Sequence, residues 1–203
     1  DHGCVVVMET KTGNVKAISN LGRANDGSYY ETVNYAVAES HEPGSTFKLV
    51  DLIALLDDKK VDTSKVYDTN GGIITFYGRK VRDSHEGGFG KISLARGFEL
   101  SSNTVMVQAV YDNYKDNQKE FVDRIDAMGL NKPIGLPFDG EGKPFIPQPG
   151  SKNWSGIALP WMAYGYGVSV TPLQTLALYN AVANNGVMIK PKFVSEIKEW
   201  NKV

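Results

Sequence analysis

The sequence is poor in cysteine and has no long apolar run. Its single cysteine among 203 residues, Cys4, can close no internal disulfide and can build no cysteine-rich zinc site. No apolar stretch reaches the roughly 18 residues that a transmembrane helix needs, and there is no basic, apolar leader. We therefore expect any membrane anchor or export signal to lie outside this chain, which begins at Asp1 and reads as a piece of a longer protein.

The chain also has little net charge. Its 22 lysines and arginines nearly balance 23 aspartates and glutamates, which leaves a formal charge of -1. This balance gives no electrostatic reason to expect nucleic acid or an anionic membrane as a partner. With 41% hydrophobic residues the chain can bury a core, which excludes disorder throughout.

Hydrophobic periodicity and turn residues predict the order of strands and helices. The apolar runs Cys4–Met8 and Val15–Ile18 predict a β-hairpin that turns at Gly13. A helix from Ser45 to about Lys59 is apolar on most sides, which is typical of the interior of a domain. Residues 131–160 carry six prolines and five glycines and predict a long irregular loop. Further predicted elements are a hairpin at 73–77 and 80–82, helices at about 94–100, 104–114, 118–128 and 172–184, and weak strands at 187–189 and 193–197.

A serine and a lysine three residues apart can form a catalytic pair, because both side chains then share one face of a helix. Ser45 and Lys48 have this spacing. Composition alone predicts about 1 such pair among 13 serines and 17 lysines, and Ser195 with Lys198 is a second instance. The spacing by itself therefore identifies no active site.

The surroundings distinguish the two copies. Ser45 follows Pro43-Gly44 at the head of the apolar helix, so we expect its hydroxyl beside free backbone N–H groups and the positive end of the helix dipole. Lys48 lies among apolar neighbours, where desolvation favours the neutral amine that a general base needs. Ser195 lies in a charge-rich stretch near the chain end. Ser45 is therefore the candidate nucleophile.

The segment Glu42–Lys48 resembles the first active-site motif of the penicillin-binding proteins. Ser101-Ser102-Asn103 follows 56 residues after Ser45, in the order that this family uses for its second motif. Three further stretches resemble the family's first β-hairpin and the region that leads toward its third motif: Glu9–Ala17, Gly165–Gln174 and Ala183–Gly186. The resemblance covers essentially the whole chain.

This resemblance implies a serine D,D-transpeptidase that cross-links peptidoglycan stem peptides and is the covalent target of β-lactam antibiotics. Ser45 would attack the D-alanyl-D-alanine carbonyl, Lys48 would be the base for acylation, and Ser101 would relay a proton to or from the leaving nitrogen. Asn103 would hold Lys48 and an amide of the substrate, and the backbone N–H of Ser45 would supply half of the oxyanion hole. No metal or organic cofactor is implied.

The sequence departs from the family at the third motif. After Asn103 nothing reads Lys-Thr-Gly, and Lys11-Thr12-Gly13 stands before the nucleophile, where a hairpin turn with glycine at positive φ explains it. We therefore expect residues 1–203 to be a partial transpeptidase domain that lacks the C-terminal sheet strands. The opening hairpin should then expose an apolar face and edge unless another chain covers them.

The expected fold is α+β, the transpeptidase fold shared by penicillin-binding proteins and serine β-lactamases, with an incomplete antiparallel sheet and a mainly helical subdomain. Phe98-Glu99-Leu100 and Thr104-Val105-Met106 around the second motif resemble the division type of the class B branch. By the same resemblance, the parent protein is anchored at the outer, periplasmic face of the cytoplasmic membrane. Its partners would be a glycan polymerase and divisome proteins.

Other interpretations remain open at this stage. A serine β-lactamase or D,D-carboxypeptidase would hydrolyse its acyl-enzyme, a β-lactam sensor would acylate without releasing D-alanine, and a scaffold would have an unreactive Ser45. Ser101 and Asn103 could serve only as caps of the following helix. The three histidines are too scattered for a metal triad, and the tyrosines and tryptophans of residues 154–166 fit a core better than a substrate groove.

In the family that the sequence resembles, the strand of the third motif completes the oxyanion hole. We therefore predict that the 203-residue fragment is impaired in acylation, because the loss of one oxyanion donor alone costs roughly 10²- to 10³-fold. The measurement is the rate at which a fluorescent penicillin labels the fragment and the longer protein. Equal rates would contradict the expected truncation.

Overall fold

The structure, a computed structural model, describes residues 1–199 and is an α+β protein. Its strands are β1 (His2–Met8), β2 (Val15–Arg23), β3 (Tyr29–Tyr30), β4 (Val66–Asp68), β5 (Ile73–Phe76), β6 (Arg79–Arg82) and β7 (Lys91–Ser93). Its helices are α1 (Tyr35–Ala38), α2 (Lys48–Asp57), α3 (Leu94–Glu99), α4 (Asn103–Tyr114), α5 (Gln118–Ala127), α6 (Ala158–Met162) and α7 (Pro172–Ala183). Within residues 1–199, none of them has both the length and the apolar character to cross a membrane.

One compact unit contains an antiparallel sheet with the strand order β1-β2-β3. It is built from Asp1–Ser40, Lys132–Lys143 and the described residues from Val170 onward. Residues along β1 alternate between exposed and half-buried, as the two-residue period of a strand requires. Val6 lies on the inner face and packs against a core formed by Val37, Leu136 and Leu173, so the sheet is covered on that face by α1 and α7.

Helix α7 begins where local chemistry sets its start. The hydroxyl of Thr171 accepts from the backbone N–H of Gln174, and the Gln174 side chain accepts from the backbone N–H of Thr171. Pro172 occupies the first turn, where its missing N–H has no helical partner to lose. The predicted helix at 172–184 is confirmed.

The second compact unit, His41–Asn131 and Pro144–Ser169, is mainly helical. Helix α4 lies at its centre and contacts α2, α3, α5 and α6. Two small antiparallel sheets, β4 with β7 and β5 with β6, complete the unit. The fully buried apolar side chains of α4 are Val105, Met106, Val107, Ala109, Val110 and Tyr114. Because α2 packs on α4, the first residues of these two helices come close together.

Most of the predicted elements are confirmed to within a few residues, including the opening hairpin, the hairpin at β5 and β6, and the helices α3, α4 and α5. Two expectations were wrong. Ser45 does not begin an α-helix but lies in a 3₁₀ turn, Gly44–Phe47, that leads into α2. The segments 187–189 and 193–197 are not strands. Pro191, which has no N–H to donate, lies between them, and within residues 187–199 the backbone forms one bridge, from Lys192 to Asn14.

The outer face of the first hairpin is apolar and open. Val5 and Val7 are 66% and 50% exposed, and Leu21 is 42% exposed. Within the described residues β1 pairs only with β2, so its other edge carries unpaired backbone groups. An edge and a face of this kind favour contact with a second chain.

We predict that the 203-residue chain associates in dilute solution and that Val5→Lys with Val7→Lys reduces this association. Two cations on the exposed face repel a second copy, and the side chains are exposed enough for folding to be little affected. Multi-angle light scattering provides the measurement. Val66→Lys, at an exposed valine of β4, is the control and should leave the association unchanged. A clean monomer of the unmodified chain would contradict the prediction.

Candidate active site

The 3₁₀ turn aligns Ser45 with Lys48. Side chains three residues apart eclipse each other in a 3₁₀ helix, so the serine hydroxyl and the lysine amine lie on one line along the turn. The distance from Lys48 Nζ to Ser45 Oγ is 3.1 Å. Ser45 is exposed whereas Lys48 is only 1% exposed. The turn therefore presents a reachable hydroxyl against a buried amine.

The amine of Lys48 reaches three acceptors from the second motif in addition to Ser45. It lies 2.6 Å from the carbonyl oxygen of Ser101, 3.0 Å from Ser101 Oγ and 2.6 Å from Asn103 Oδ1. A neutral amine has two hydrogens and one lone pair. If the hydrogens bind the two acceptors at 2.6 Å, the lone pair is left to accept a proton from a hydroxyl.

Burial determines the charge of this amine. Desolvation lowers the pKa of Lys48 to about 8, and the nearby carboxylates of Asp51 and Asp83 act against that shift. Asp51 lies one turn further along α2 and is completely buried. Burial raises the pKa of its carboxyl well above the usual value, against the opposing effect of Lys48. Among the described residues, neither oxygen of Asp51 has a hydrogen-bond partner.

The second motif is a turn between α3 and α4. Ser101 has a φ of +54°, a left-handed conformation that a serine adopts only when its surroundings impose it. The helix cap is Ser102, whose hydroxyl accepts from the backbone N–H of Val105 at 3.2 Å. The side chains of Ser101 and Asn103 instead contact Lys48, so the alternative that they serve only as caps was wrong.

Asn103 is held from both ends of its amide. Its Oδ1 accepts from Lys48, and its Nδ2 donates to the backbone carbonyl of Arg82 at 2.7 Å. The second bond sets the orientation of the amide, because a flipped side chain would direct the NH₂ group at the lysine amine. One hydrogen of Nδ2 remains for another acceptor.

Two glycines hold the segment before Ser45 in place. The backbone N–H of Gly44 donates to the carbonyl of Gly165 at 3.1 Å, and the N–H of Gly167 donates to Glu42 Oε1 at 2.8 Å. A Cβ on Gly165 would lie 2.0 Å from the carbonyl oxygen of Gly44. Gly165 and Gly167 therefore serve backbone packing, because the segment before Ser45 lies too close to Gly165 for any side chain there.

All four residues singled out in the sequence, Ser45, Lys48, Ser101 and Asn103, come together in one cluster. The supporting residues Arg82 and Asp83 were missed, because the loop that follows them is rich in glycine and charge and no motif marks it. Lys11-Thr12-Gly13 lies in the turn between β1 and β2 with Gly13 at a φ of +73°, as predicted. No His, Cys, Asp or Glu cluster in residues 1–199 is arranged to hold a metal ion.

An α+β protein in which a buried amine contacts an exposed serine fits the class of serine acyl-transfer enzymes. The chain belongs to the penicillin-binding protein transpeptidase family, whose domain model matches residues 3–203. It is 29% identical over 198 residues to penicillin-binding protein PbpB of Mycobacterium tuberculosis, covering 93% of this chain and 28% of that protein. It is 26% identical over 192 residues to peptidoglycan D,D-transpeptidase FtsI of Escherichia coli, covering 92% and 31%.

Solved structures share the fold. A peptidoglycan glycosyltransferase from Burkholderia ambifaria superposes with a TM-score of 0.80 at 24% identity, over 98% of this chain and 58% of that one. The transpeptidase domain of Burkholderia pseudomallei penicillin-binding protein 3 gives 0.76 at 24% identity, over 93% and 52%. The curated relatives PbpB and FtsI are much longer than this chain, which spans about three tenths of their sequences.

We predict that Gly165→Ala slows acylation of Ser45 and lowers the free energy of unfolding by about 3 kcal/mol, because the new methyl group would displace Gly44. The control is Gly167→Ala, which also has a positive φ, +71°, but meets no atom within 4 Å. That variant should lose only about 1 kcal/mol from backbone strain. Urea unfolding and fluorescent penicillin labelling measure the two effects, and equal losses in both variants would contradict the displacement of Gly44.

Proposed function

We propose that the protein to which this chain belongs performs the acyl-transfer step of a peptidoglycan D,D-transpeptidase, and that β-lactams acylate it at Ser45. The observation that carries the proposal is the position of Lys48 Nζ, 3.1 Å from Ser45 Oγ and 3.0 Å from Ser101 Oγ. One buried amine can therefore take a proton from the first hydroxyl and share it with the second.

In the proposed acylation, Ser45 Oγ attacks the carbonyl carbon of the penultimate D-alanine while Lys48 accepts the hydroxyl proton. The new C–O bond produces a tetrahedral intermediate, whose oxyanion the backbone N–H of Ser45 helps to stabilise. The C–N bond then breaks. Ser101 gives its proton to the departing nitrogen of the terminal D-alanine and regains one from Lys48.

Deacylation reverses these roles. An amine on a neighbouring stem peptide attacks the ester at Ser45 and loses its proton through Ser101 to Lys48. The proton returns to Ser45 Oγ as the ester C–O bond breaks, so the enzyme is restored and one peptide cross-link is formed. Asn103 takes part by holding Lys48 with Oδ1, while the remaining hydrogen of Nδ2 is available to a substrate carbonyl.

The relatives support peptidoglycan as the substrate, and the resemblance around the second motif supports division as the setting. The Escherichia coli relative is named a peptidoglycan D,D-transpeptidase, and a further relative, 27% identical over 98% of this chain, is stage V sporulation protein D of Bacillus subtilis. Peptidoglycan lies outside the cytoplasmic membrane, so we place the activity on its outer face, with the parent protein anchored there. A glycan polymerase and divisome proteins are the proposed partners of that parent.

The experiment is labelling of the full-length protein that carries this sequence with a fluorescent penicillin. Ser45→Ala should abolish labelling. Lys48→Arg should slow it by roughly 10²- to 10⁴-fold, because a guanidinium stays charged and cannot act as the base. Ser195→Ala, in the second Ser-X-X-Lys segment, is the matched control and should label normally. Labelling of Ser45→Ala at the normal rate would overturn the proposal.

The pH dependence tests the base directly. The neutral amine is the active form and the pKa of Lys48 is lowered to about 8, so the labelling rate should rise with pH through about 8.

A stem-peptide mimic with an amine acceptor separates the reaction classes. Cross-linked product with release of D-alanine supports the transpeptidase. Rapid hydrolysis of the penicillin ester would indicate a β-lactamase or carboxypeptidase, and acylation without release of D-alanine would indicate a sensor.

A further inference from the structure

Asp83 follows strand β6 and accepts hydrogen bonds from the second motif and the residue after it. It lies outside the cluster of Ser45, Lys48, Ser101 and Asn103. Its Oδ1 accepts from the backbone N–H of Thr104 at 2.9 Å and from Ser102 Oγ at 3.1 Å. Its Oδ2 accepts from Thr104 Oγ1 at 2.8 Å and lies 3.2 Å from Ser102 Oγ. Ser102 and Thr104 are both 0% exposed, so these bonds form in the interior.

These contacts lie at the start of α4, where the first backbone N–H groups have no partner inside the helix. A carboxylate at this end is also favoured by the helix dipole. Asp83 therefore holds Ser102 and Thr104, the residues on either side of Asn103. Ser102 is also the residue that directly follows Ser101. The left-handed Ser101 is held from its N-terminal side by the end of α3, where Ser101 N–H donates to the Phe98 carbonyl at 3.0 Å and Ser102 N–H to the Gly97 carbonyl at 2.8 Å, and Asp83 holds the same turn from its C-terminal side.

The residue before Asp83 acts on the same turn. The carbonyl of Arg82 accepts from Asn103 Nδ2 at 2.7 Å and so directs Asn103 Oδ1 toward Lys48. Arg82 and Asp83 thus help to set the positions of the Asn103 and Ser101 side chains. Arg82 acts through the amide of Asn103, and Asp83 acts through the backbone of the turn. Within the described residues, neither Arg82 nor Asp83 forms a hydrogen bond with the candidate nucleophile Ser45.

We propose that Asp83 is a positioning residue that places Ser101 and Asn103 against Lys48 for acylation of Ser45, an inference that rests on the proposed function. It acts in two separable ways. Its hydrogen bonds hold the geometry of the turn, and its negative charge favours the protonated form of Lys48.

The charge of Asp83 is one of two that act on the amine. Lys48 faces Asp51 from its own helix and Asp83 from the end of β6, while Ser101 and Asn103 face it as neutral groups. Both carboxylates raise the pKa of Lys48, and burial lowers it. Removing the charge of Asp83 should therefore produce a neutral amine at lower pH.

Two substitutions separate these effects. In Asp83→Asn, the amide oxygen can still accept from Thr104 and Ser102, and the amide NH₂ can donate to Thr104 Oγ1, so the geometry is kept without the charge. In Asp83→Ala, the bonds and the charge are both lost. Asp123→Asn is the matched control, because Asp123 is exposed on α5 and within residues 1–199 forms an ion pair only with Lys119.

Acylation is followed as penicillin concentration varies, which gives the noncovalent dissociation constant and the acylation rate constant separately. Asp83→Ala should slow acylation by roughly 10- to 100-fold through misplaced reacting groups, with the dissociation constant changed by less than about threefold. Asp83→Asn should keep the maximal rate within about threefold and shift its pH midpoint downward by roughly 0.5 unit. Asp123→Asn should match the unmodified protein.

A second measurement does not depend on acylation. The ¹³Cε resonance of Lys48, assigned through Lys48→Arg, gives the pKa of the amine by NMR titration, and Asp83→Asn should lower it. This titration decides the electrostatic role of Asp83 even if penicillin does not label the unmodified protein, a result that would defeat the proposed function alone. It also decides that role if Asp83→Ala does not fold.

An unchanged Lys48 pKa in Asp83→Asn would overturn the electrostatic part of the inference. A normal acylation rate in Asp83→Ala would overturn the positioning part. A loss of acylation in Asp83→Ala accompanied by an equal loss in Asp123→Asn would show a general effect of surface charge and would overturn both.

Discussion

Burying the amine of a lysine is the constraint on which the candidate site depends. At 1% exposure, Lys48 has lost its water, and the lowering of its pKa from 10.5 to about 8 corresponds to about 3 kcal/mol in favour of the neutral form. The amine remains polar in either state and must be hydrogen-bonded. Ser45, Ser101 and Asn103 supply the partners. The contacts that make burial tolerable are therefore the same contacts that a proton-transfer site needs.

The partners of Lys48 are set by different kinds of structure. Ser45 is three residues away and is aligned by a single 3₁₀ turn, a purely local device. Ser101 and Asn103 lie 53 and 55 residues away and arrive through the packing of α2 on α4. That packing rests on apolar side chains, which fix the two helices. Backbone hydrogen bonds to the end of α3 close the turn before α4, and hydrogen bonds to Arg82 and Asp83 at the end of β6 orient Asn103 and hold the residues beside it.

The sequence predicts helix caps and side-chain pairs within one turn well, and it predicts contacts between residues far apart in the chain poorly. The α7 cap could be predicted because Thr171, Pro172 and Gln174 are consecutive or nearly so, and Ser45 with Lys48 could be distinguished from Ser195 with Lys198 by their neighbours. The pairing of β4 with β7 could not be predicted, because each strand has three residues and 22 residues of chain, 69 to 90, separate them. Asp83 was missed for the same reason: its partners lie 19 and 21 residues away, and a single aspartate after a strand has no pattern to mark it.

Asp51 adds a second buried titratable group one helical turn from Lys48, and the two must be considered together. An ionised carboxylate without hydrogen bonds is expensive in a protein interior, which is why burial raises its pKa so far. A charged Lys48 lowers that cost, and a charged Asp51 in turn favours the protonated amine, so the two groups gain or lose charge together. This coupling opposes desolvation and keeps the pKa of Lys48 near 8, which suits the proposed transfers of a proton from Ser45 to the amine and from the amine to Ser101. A purely apolar neighbour at position 51 would leave desolvation unopposed from that side and yield a weaker base. The buried carboxylate thus helps to match the amine to proton transfer near neutral pH.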